Sequence, residues 1–288
     1  MTLIELVEAS AVQLADAGVA FGHGTTNAFD EAAWLVLWQL GLALGDLDGV
    51  ADMAVSPQQQ DSVRELVAER IRSRKPAAYL TREAWLQGVP FYVDERAIVP
   101  RSFIAELIAD GGIEPWLDAR TRRVLDLCTG NGSLAVLAAM AWPEVAVDAA
   151  DLSADALAVA RINVDKHGMQ DRIRLLQSDG LQSVQGPYDL ILCNPPYVNA
   201  HSMAELPPEY RAEPALALAG GADGMDFIRA LLRGAPDHMS EHAVLVLEIG
   251  NERHHFEAAF PRLEVVWLET SAGEDQVLLA TRESLIAD

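Results

Sequence analysis

The run Asn194-Pro195-Pro196-Tyr197 brings together residue types suited to holding a flat NH₂ group. Neither proline carries an N–H and both have a fixed φ, so the loop is rigid and presents carbonyl acceptors. Asn194 adds a side-chain oxygen. An NH₂ group needs two acceptors for its two hydrogens, and such a loop offers them at set positions. Tyr197 can stack its ring on a planar amide or base. With the hydrogens held, the out-of-plane face of the nitrogen can be aimed at an electrophilic methyl group, and proximity and alignment become the main catalytic terms. Polarising the N–H bonds towards acceptors also raises electron density on an amide nitrogen, which is otherwise a poor nucleophile.

A second constellation, Asp126-Leu127-Cys128-Thr129-Gly130-Asn131-Gly132, follows a short apolar strand. Gly130 and Gly132 allow positive φ and close backbone approach, which predicts amide N–H groups free to face a carboxylate. Asp126 can pair with an ammonium group, so a zwitterionic amino-acid moiety suits this turn. With no GxGxxG and no P-loop lysine, it does not suit a phosphate. Asp151 ends the next strand, where a carboxylate meets ribose hydroxyls in nucleotide-type α/β sites. Asp179 ends the third and could accept from an adenine amine.

The elements that must position these residues are legible as alternating segments. Strands are predicted at 124–128, 145–151, 172–177, 188–194 and 243–250, with a terminal pair at 264–269 and 276–282. Helices fall at 133–141, from Ser153 to about His167, at 225–239 and at 252–259. The alternation implies a parallel, doubly wound sheet. Upstream, 2–21, 28–44 and 57–74 carry helical periodicity, with Thr26 or Asn27 and Ser56 as caps and Gly45 as the end of the second helix. The expected organisation is a helical substrate-recognition domain over 1–83, a β-hairpin linker over 84–100 and a Rossmann-like domain over 101–288.

Bulk composition narrows the function. The chain has 288 residues, 43 acids against 21 bases and a net charge of −22, which repels a phosphate backbone and predicts no direct nucleic-acid binding. A basic protein partner or plain solubility fits that charge. No apolar run reaches the length of a membrane span. The acidic N-terminus and the two cysteines without ligand spacing predict a cytoplasmic protein with no metal site.

In combination and in order, DxCTGxG, two strand-end acids and NPPY resemble class I methyltransferases that act on planar amide or amine nitrogen. More closely the chain resembles the HemK/PrmB family of N5-glutamine methyltransferases. Val99-Pro100-Arg101-Ser102 with FIAELI, GTTNAFDEAAWLVLWQLGL at 24–42 and the segment 205–227 are similar to its PrmB branch. The resemblance implies S-adenosyl-L-methionine as cofactor and, as substrate, a glutamine of large-subunit ribosomal protein three. The sister branch modifies peptide-chain release factors. By the same resemblance Asp126, Thr129, Gly130, Gly132 and Asp151 would bind the cofactor. Arg101, Ser102 and Phe103 would lie near it at the inter-domain cleft, while Asn194 and the Pro195 carbonyl would hold the glutamine amide, with Pro196 and Tyr197 beside it. The chain departs from the pattern at Gly180, where the family often has a large apolar or aromatic residue, so another residue must cover the adenine.

Glu209-Tyr210-Arg211 and Glu213-Pro214 could line the substrate entrance or form a solvated loop with local salt bridges. Glu248 reads as a structural partner, His254-His255 as surface helix, and Trp34 and Trp38 as core. Release-factor methylation, a nucleic-acid amino-methyltransferase and a non-catalytic assembly factor are the rival readings.

Overall fold

The computed structural model describes residues 1–287; Asp288, the last residue of the segment expected over 101–288, lies outside them. The N-terminal helices are α1 (Leu3–Asp16), α2 (Ala28–Gln39), α3 (Leu47–Val50), α4 (Pro57–Ser73) and α5 (Ala77–Thr81). Capping boxes start α1 (Thr2 with Glu5) and α4 (Ser56 with Gln59), and Asn27 caps α2. The second helix does not run to Gly45. It stops at Gln39 because Gly41 turns left-handed (φ +67), so that its amide donates to the Trp38 carbonyl and the Leu42 amide to that of Leu37. That pair of bonds closes a helix end efficiently. Leu3, Leu6, Leu14, Leu35, Val63 and Val67 bury their side chains in a common core.

The hairpin is short: β1 (Ala84–Leu86) and β2 (Val89–Phe91) pair antiparallel around Gln87 and Gly88, both at positive φ. Two such residues give a turn whose twist matches the strands. The rest of the chain forms α6 (Ile104–Ala109), β3 (Arg123–Leu127), α7 (Ser133–Ala141), β4 (Ala146–Asp151), α8 (Ala154–Lys166), β5 (Ile173–Gln177) and β6 (Tyr188–Cys193). It continues with α9 (Ala200–Glu205), α10 (Pro208–Arg211), α11 (Asp226–Gly234), β7 (Met239–Glu248), α12 (Arg253–Ala259), β8 (Val266–Thr270), β9 (Gly273–Thr281) and α13 (Arg282–Ala287). The expected helix over 225–239 ends at Gly234. A 3₁₀ turn, Ala235–His238, takes over at Pro236, and Met239 already belongs to β7.

Seven strands make one sheet in the order β5-β4-β3-β6-β7-β9-β8. The first five in that order run parallel, whereas β9 is antiparallel to both β7 and β8, so the sheet is not wholly parallel. Successive residues in a strand face opposite sides. Accordingly Val124, Leu190, Leu192 and Val246 pack with α6, α7 and α8, while Leu125, Ile191, Cys193 and Leu247 pack with α11 and α12. Both faces are covered, which is why these strands read as unbroken apolar runs.

Buried charges join the N-terminal helices to the segment after β6. Arg70, wholly buried, bonds Glu31 at 2.8 Å and Glu209 at 3.4 Å, and Arg74 Nε lies 2.7 Å from the Glu209 carboxylate. Glu213 accepts from Arg101 at 2.6 and 2.8 Å and from the Val99 amide at 2.9 Å, with His23 Nε2 at 3.3 Å. Burial works against the Glu213 carboxylate, yet Arg101 and His23 hold its pKa down to about 2. Removing one partner of a buried pair leaves an uncompensated charge. Arg70→Ala is therefore expected to lower the unfolding free energy by roughly 3–5 kcal/mol, read as a lower urea midpoint. An unchanged midpoint would show that the pair adds nothing.

Candidate active site

The site begins where β3 ends. Its pairing with β6 sets Leu127 opposite Cys193, so the two following loops leave the sheet side by side. Gly132, at φ +81, caps α7, and a Cβ there would come within 3.1 Å of the Ala160 Cβ. Only glycine lets α7 and α8 approach so closely.

Asp126 is fully buried. Its Oδ2 accepts from the Thr129 hydroxyl and, at 3.0 Å, from the Ala135 amide; its Oδ1 has no partner among the described residues. Burial pushes its carboxyl up to about 7, against the pull of those two donors. Asp151 Oδ2 accepts from the Gly130 amide and its Oδ1 from the Ser153 amide, both at 2.9 Å; burial raises its pKa as well. The Gly132 amide donates to the Thr129 carbonyl. The two glycine amides expected to be free for a carboxylate are thus engaged within the protein, and they fix the turn instead.

A cleft of about 800 Å³, counting the space open to solvent, lies at these strand ends. Gly130, Asp151, Asp179, Asn194 and Pro196 all line it. The Asn194 side chain and the Pro195 carbonyl make no hydrogen bond among the described residues, so neither acceptor is engaged within the protein. Asp126, Thr129 and Gly132 adjoin the cleft through the turn but do not line it, and neither do Pro195, Tyr197, Arg101 or Phe103.

These last residues are held elsewhere. The Tyr197 hydroxyl donates to Glu248 at 3.4 Å, and its ring packs so tightly on Gly250 that a Cβ there would be 2.5 Å from it. Burial raises the Tyr197 pKa, so the hydroxyl stays protonated. Glu248, buried and pushed up to about 7, also accepts from the Ser102 hydroxyl and the Phe103 amide. Arg101 is bound to Glu213. Glu209 and Glu213 are neither entrance groups nor a solvated loop, since both carboxylates are buried against distant arginines.

The cleft also takes residues that sequence reasoning did not single out for it: Ala97 and Ile98 of the linker, Leu152, Leu216 and Phe227. Position after a strand-end acid could have flagged Leu152. The others come together only through the fold.

The doubly wound sheet with its cleft at the carboxyl edge has the fold of the class I methyltransferases. Residues 113–206 match the family model described as "Methyltransferase small domain". The chain is 54% identical over 287 residues to the ribosomal protein uL3 glutamine methyltransferase of Bordetella pertussis, covering 99% of this chain and 96% of that one. It is 45% identical over 289 residues to the enzyme of the same name from Neisseria meningitidis serogroup B, covering 100% and 95%. Among solved structures, the hMettl16 catalytic domain with a MAT2A 3'UTR hairpin superposes with a TM-score of 0.53 at 12% identity over 78% of this chain and 81% of that one, a likeness of fold alone. The chain belongs to the ribosomal protein uL3 glutamine methyltransferase family.

Its methyl donor is S-adenosyl-L-methionine. The residues present fit that cofactor: the unpartnered Asp126 Oδ1 suits its ammonium, and Asp151, lining the cleft, retains lone pairs for ribose hydroxyls. Below about pH 7 Asp126 holds a proton that must leave before it can pair with a cation. Affinity for the demethylated cofactor, S-adenosyl-L-homocysteine, is expected to rise by roughly 25-fold between about pH 5.5 and 7.5, following one ionisation. Asp126→Asn should bind more weakly and flatten the profile. Titration calorimetry checks both, and a wild-type affinity constant over that range would contradict the assignment.

Among the described residues no helix is long and apolar enough to cross a membrane.

Proposed function

We propose that this chain transfers a methyl group from S-adenosyl-L-methionine to the side-chain amide nitrogen of a glutamine in ribosomal protein uL3. Relatives at 45–54% identity over nearly the full chain carry that activity in their names, which supports the substrate. The observation that carries the chemistry is the unengaged Asn194 amide in the same cleft as Gly130 and Asp151.

The cofactor would supply a methyl group activated by its sulfonium; as the nitrogen gains the methyl it gives up one of its hydrogens as a proton, which passes to solvent. Asn194 Oδ1 and the Pro195 carbonyl accept the two amide hydrogens of the glutamine, and the two prolines keep those acceptors from moving. Held in this way, the nitrogen presents its out-of-plane face to the cofactor end of the cleft. Pro196 forms part of the wall there. Tyr197 acts as a positioning residue: its bond to Glu248 and its packing on Gly250 fix the end of the loop. Asp126, steadied by Thr129, takes the cofactor ammonium, Asp151 its ribose and Asp179 the adenine amine. Arg101 and Phe103 serve the cofactor indirectly, Arg101 by anchoring Glu213 and Phe103 by anchoring Glu248.

Residues 1–83 form the substrate-recognition domain, 84–100 the linker and 101–288 the methyltransferase domain. A chain of net charge −22 suits a basic ribosomal protein, captured in the cytoplasm before or during assembly of the large subunit.

Incubation with purified uL3 or, side by side, a peptide-chain release factor, followed by intact-mass analysis, tests this reading. One methyl group is expected on uL3 and none on the release factor. Asn194→Ala should slow the mass gain by at least about 100-fold, the scale of lost alignment, while S-adenosyl-L-homocysteine still binds. Methylation of the release factor alone, or a fully active variant, would refute it.

A further inference from the structure

We infer that the ring of Phe227 forms the apolar wall against which the adenine of the cofactor lies, in the space that Gly180 leaves open. The inference rests on the reading of the cleft as a site for S-adenosyl-L-methionine and adds the residue that recognises the flat face of the base.

A purine offers an apolar face and a polar edge, so its pocket needs a flat hydrophobic surface beside an acceptor. Asp179 supplies the acceptor on the cleft wall, and among the described residues its carboxylate accepts one hydrogen bond, from the Gln182 side chain at 3.2 Å. Phe227 is the one aromatic side chain among the described residues that line the cleft. It is half-buried and lines the cleft, whereas Met225 and Ile228 of the same segment are wholly buried.

Gly180 is what lets the ring reach that position. Its backbone is left-handed, with φ +54, and a Cβ there would lie 3.8 Å from Phe227 Cε2. That distance is ordinary contact, so the atoms of any larger side chain at 180 would compete with the ring for the same space.

The ring is also placed in advance. Phe227 belongs to the first turn of α11, where Asp223 accepts from the Met225 amide at 3.1 Å and pairs with Arg229. The Asp226 amide donates to the Gly220 carbonyl, and the Gly220 amide to that of Val198, next to Tyr197. The wall for the base is therefore tied through backbone bonds to the loop that carries Asn194. A preplaced aromatic face loses little freedom on binding.

Calorimetric titration of the full-length protein with S-adenosyl-L-homocysteine tests the assignment. Aromatic stacking on a base predicts that Phe227→Ala weakens binding by roughly fivefold to a hundredfold. Phe227→Leu, which keeps apolar volume without the flat face, should weaken it by several-fold, and Phe227→Trp should bind within about threefold of wild type. The nucleoside 5′-methylthioadenosine, which has the base but no amino-acid end, should lose the same factor. Unfolding midpoints without ligand separate a damaged fold from a lost contact, and Phe227→Leu carries the test should the alanine variant not fold. Alanine and leucine variants that bind within about twofold of wild type would overturn the role of Phe227. A wild-type protein that does not bind S-adenosyl-L-homocysteine would instead overturn the cofactor site on which that role rests.

Discussion

The parallel pairing of β3 with β6 is the constraint on which the site depends. It sets Leu127 beside Cys193, and every functional assignment follows from what each strand releases at its carboxyl end. From β3 comes the Asp126–Gly132 turn; from β6 comes Asn194-Pro195-Pro196-Tyr197. The chain order reverses between these two strands, with β4 and β5 on one side and β7, β9 and β8 on the other. Connections at such a switch point diverge to opposite faces of the sheet, and the crevice they leave is where open α/β sheets hold ligands. A methyl donor and a methyl acceptor can meet there because adjacent parallel strands end at the same level. A register shift of one residue would exchange the side chains that each strand buries on the two faces of the sheet and would move the two loops apart.

A second device keeps the acceptor loop in place from outside the sheet. Glu209 and Glu213 follow the loop in sequence and are buried against Arg70, Arg74 and Arg101. Desolvating such charges costs several kcal/mol per ion, and pairing roughly offsets it. The gain is in specificity of arrangement rather than in net stability: a guanidinium offers fixed donor directions, so the segment over 209–214 has one seating on the N-terminal helices. Ile98 and Pro214 line the cleft, and Val99 and Glu213, the residues beside them, are joined by a hydrogen bond. Residues 98–99 and 213–214 thus meet at one wall of the cleft.

Much of the fold was legible because it obeys local rules. Ser56 with Gln59, Asn27 before α2 and Ser153 before α8 each satisfy free amides at a helix start, a signal carried within four residues. Gly45 misled because Gly41, four residues earlier, already provides the left-handed turn. The candidate site was legible where it follows strand ends, as with Gly130, Asp151, Asp179 and Asn194. It was illegible where partners are remote in sequence. Arg101 is held by Glu213 and Tyr197 by Glu248, and no local pattern distinguishes such residues from groups that face a ligand. Phe227 belongs to the same class, since only the folded chain brings α11 against Gly180.

The most direct measurement is a crystal structure of the protein with S-adenosyl-L-homocysteine and a glutamine-containing uL3 peptide. The account predicts the amide nitrogen within about 3.2 Å of both Asn194 Oδ1 and the Pro195 carbonyl oxygen, facing the cofactor sulfur across the gap between residues 130–132 and 194–197. A glutamine amide bound away from Asn194, or a cofactor lying outside that gap, would contradict it.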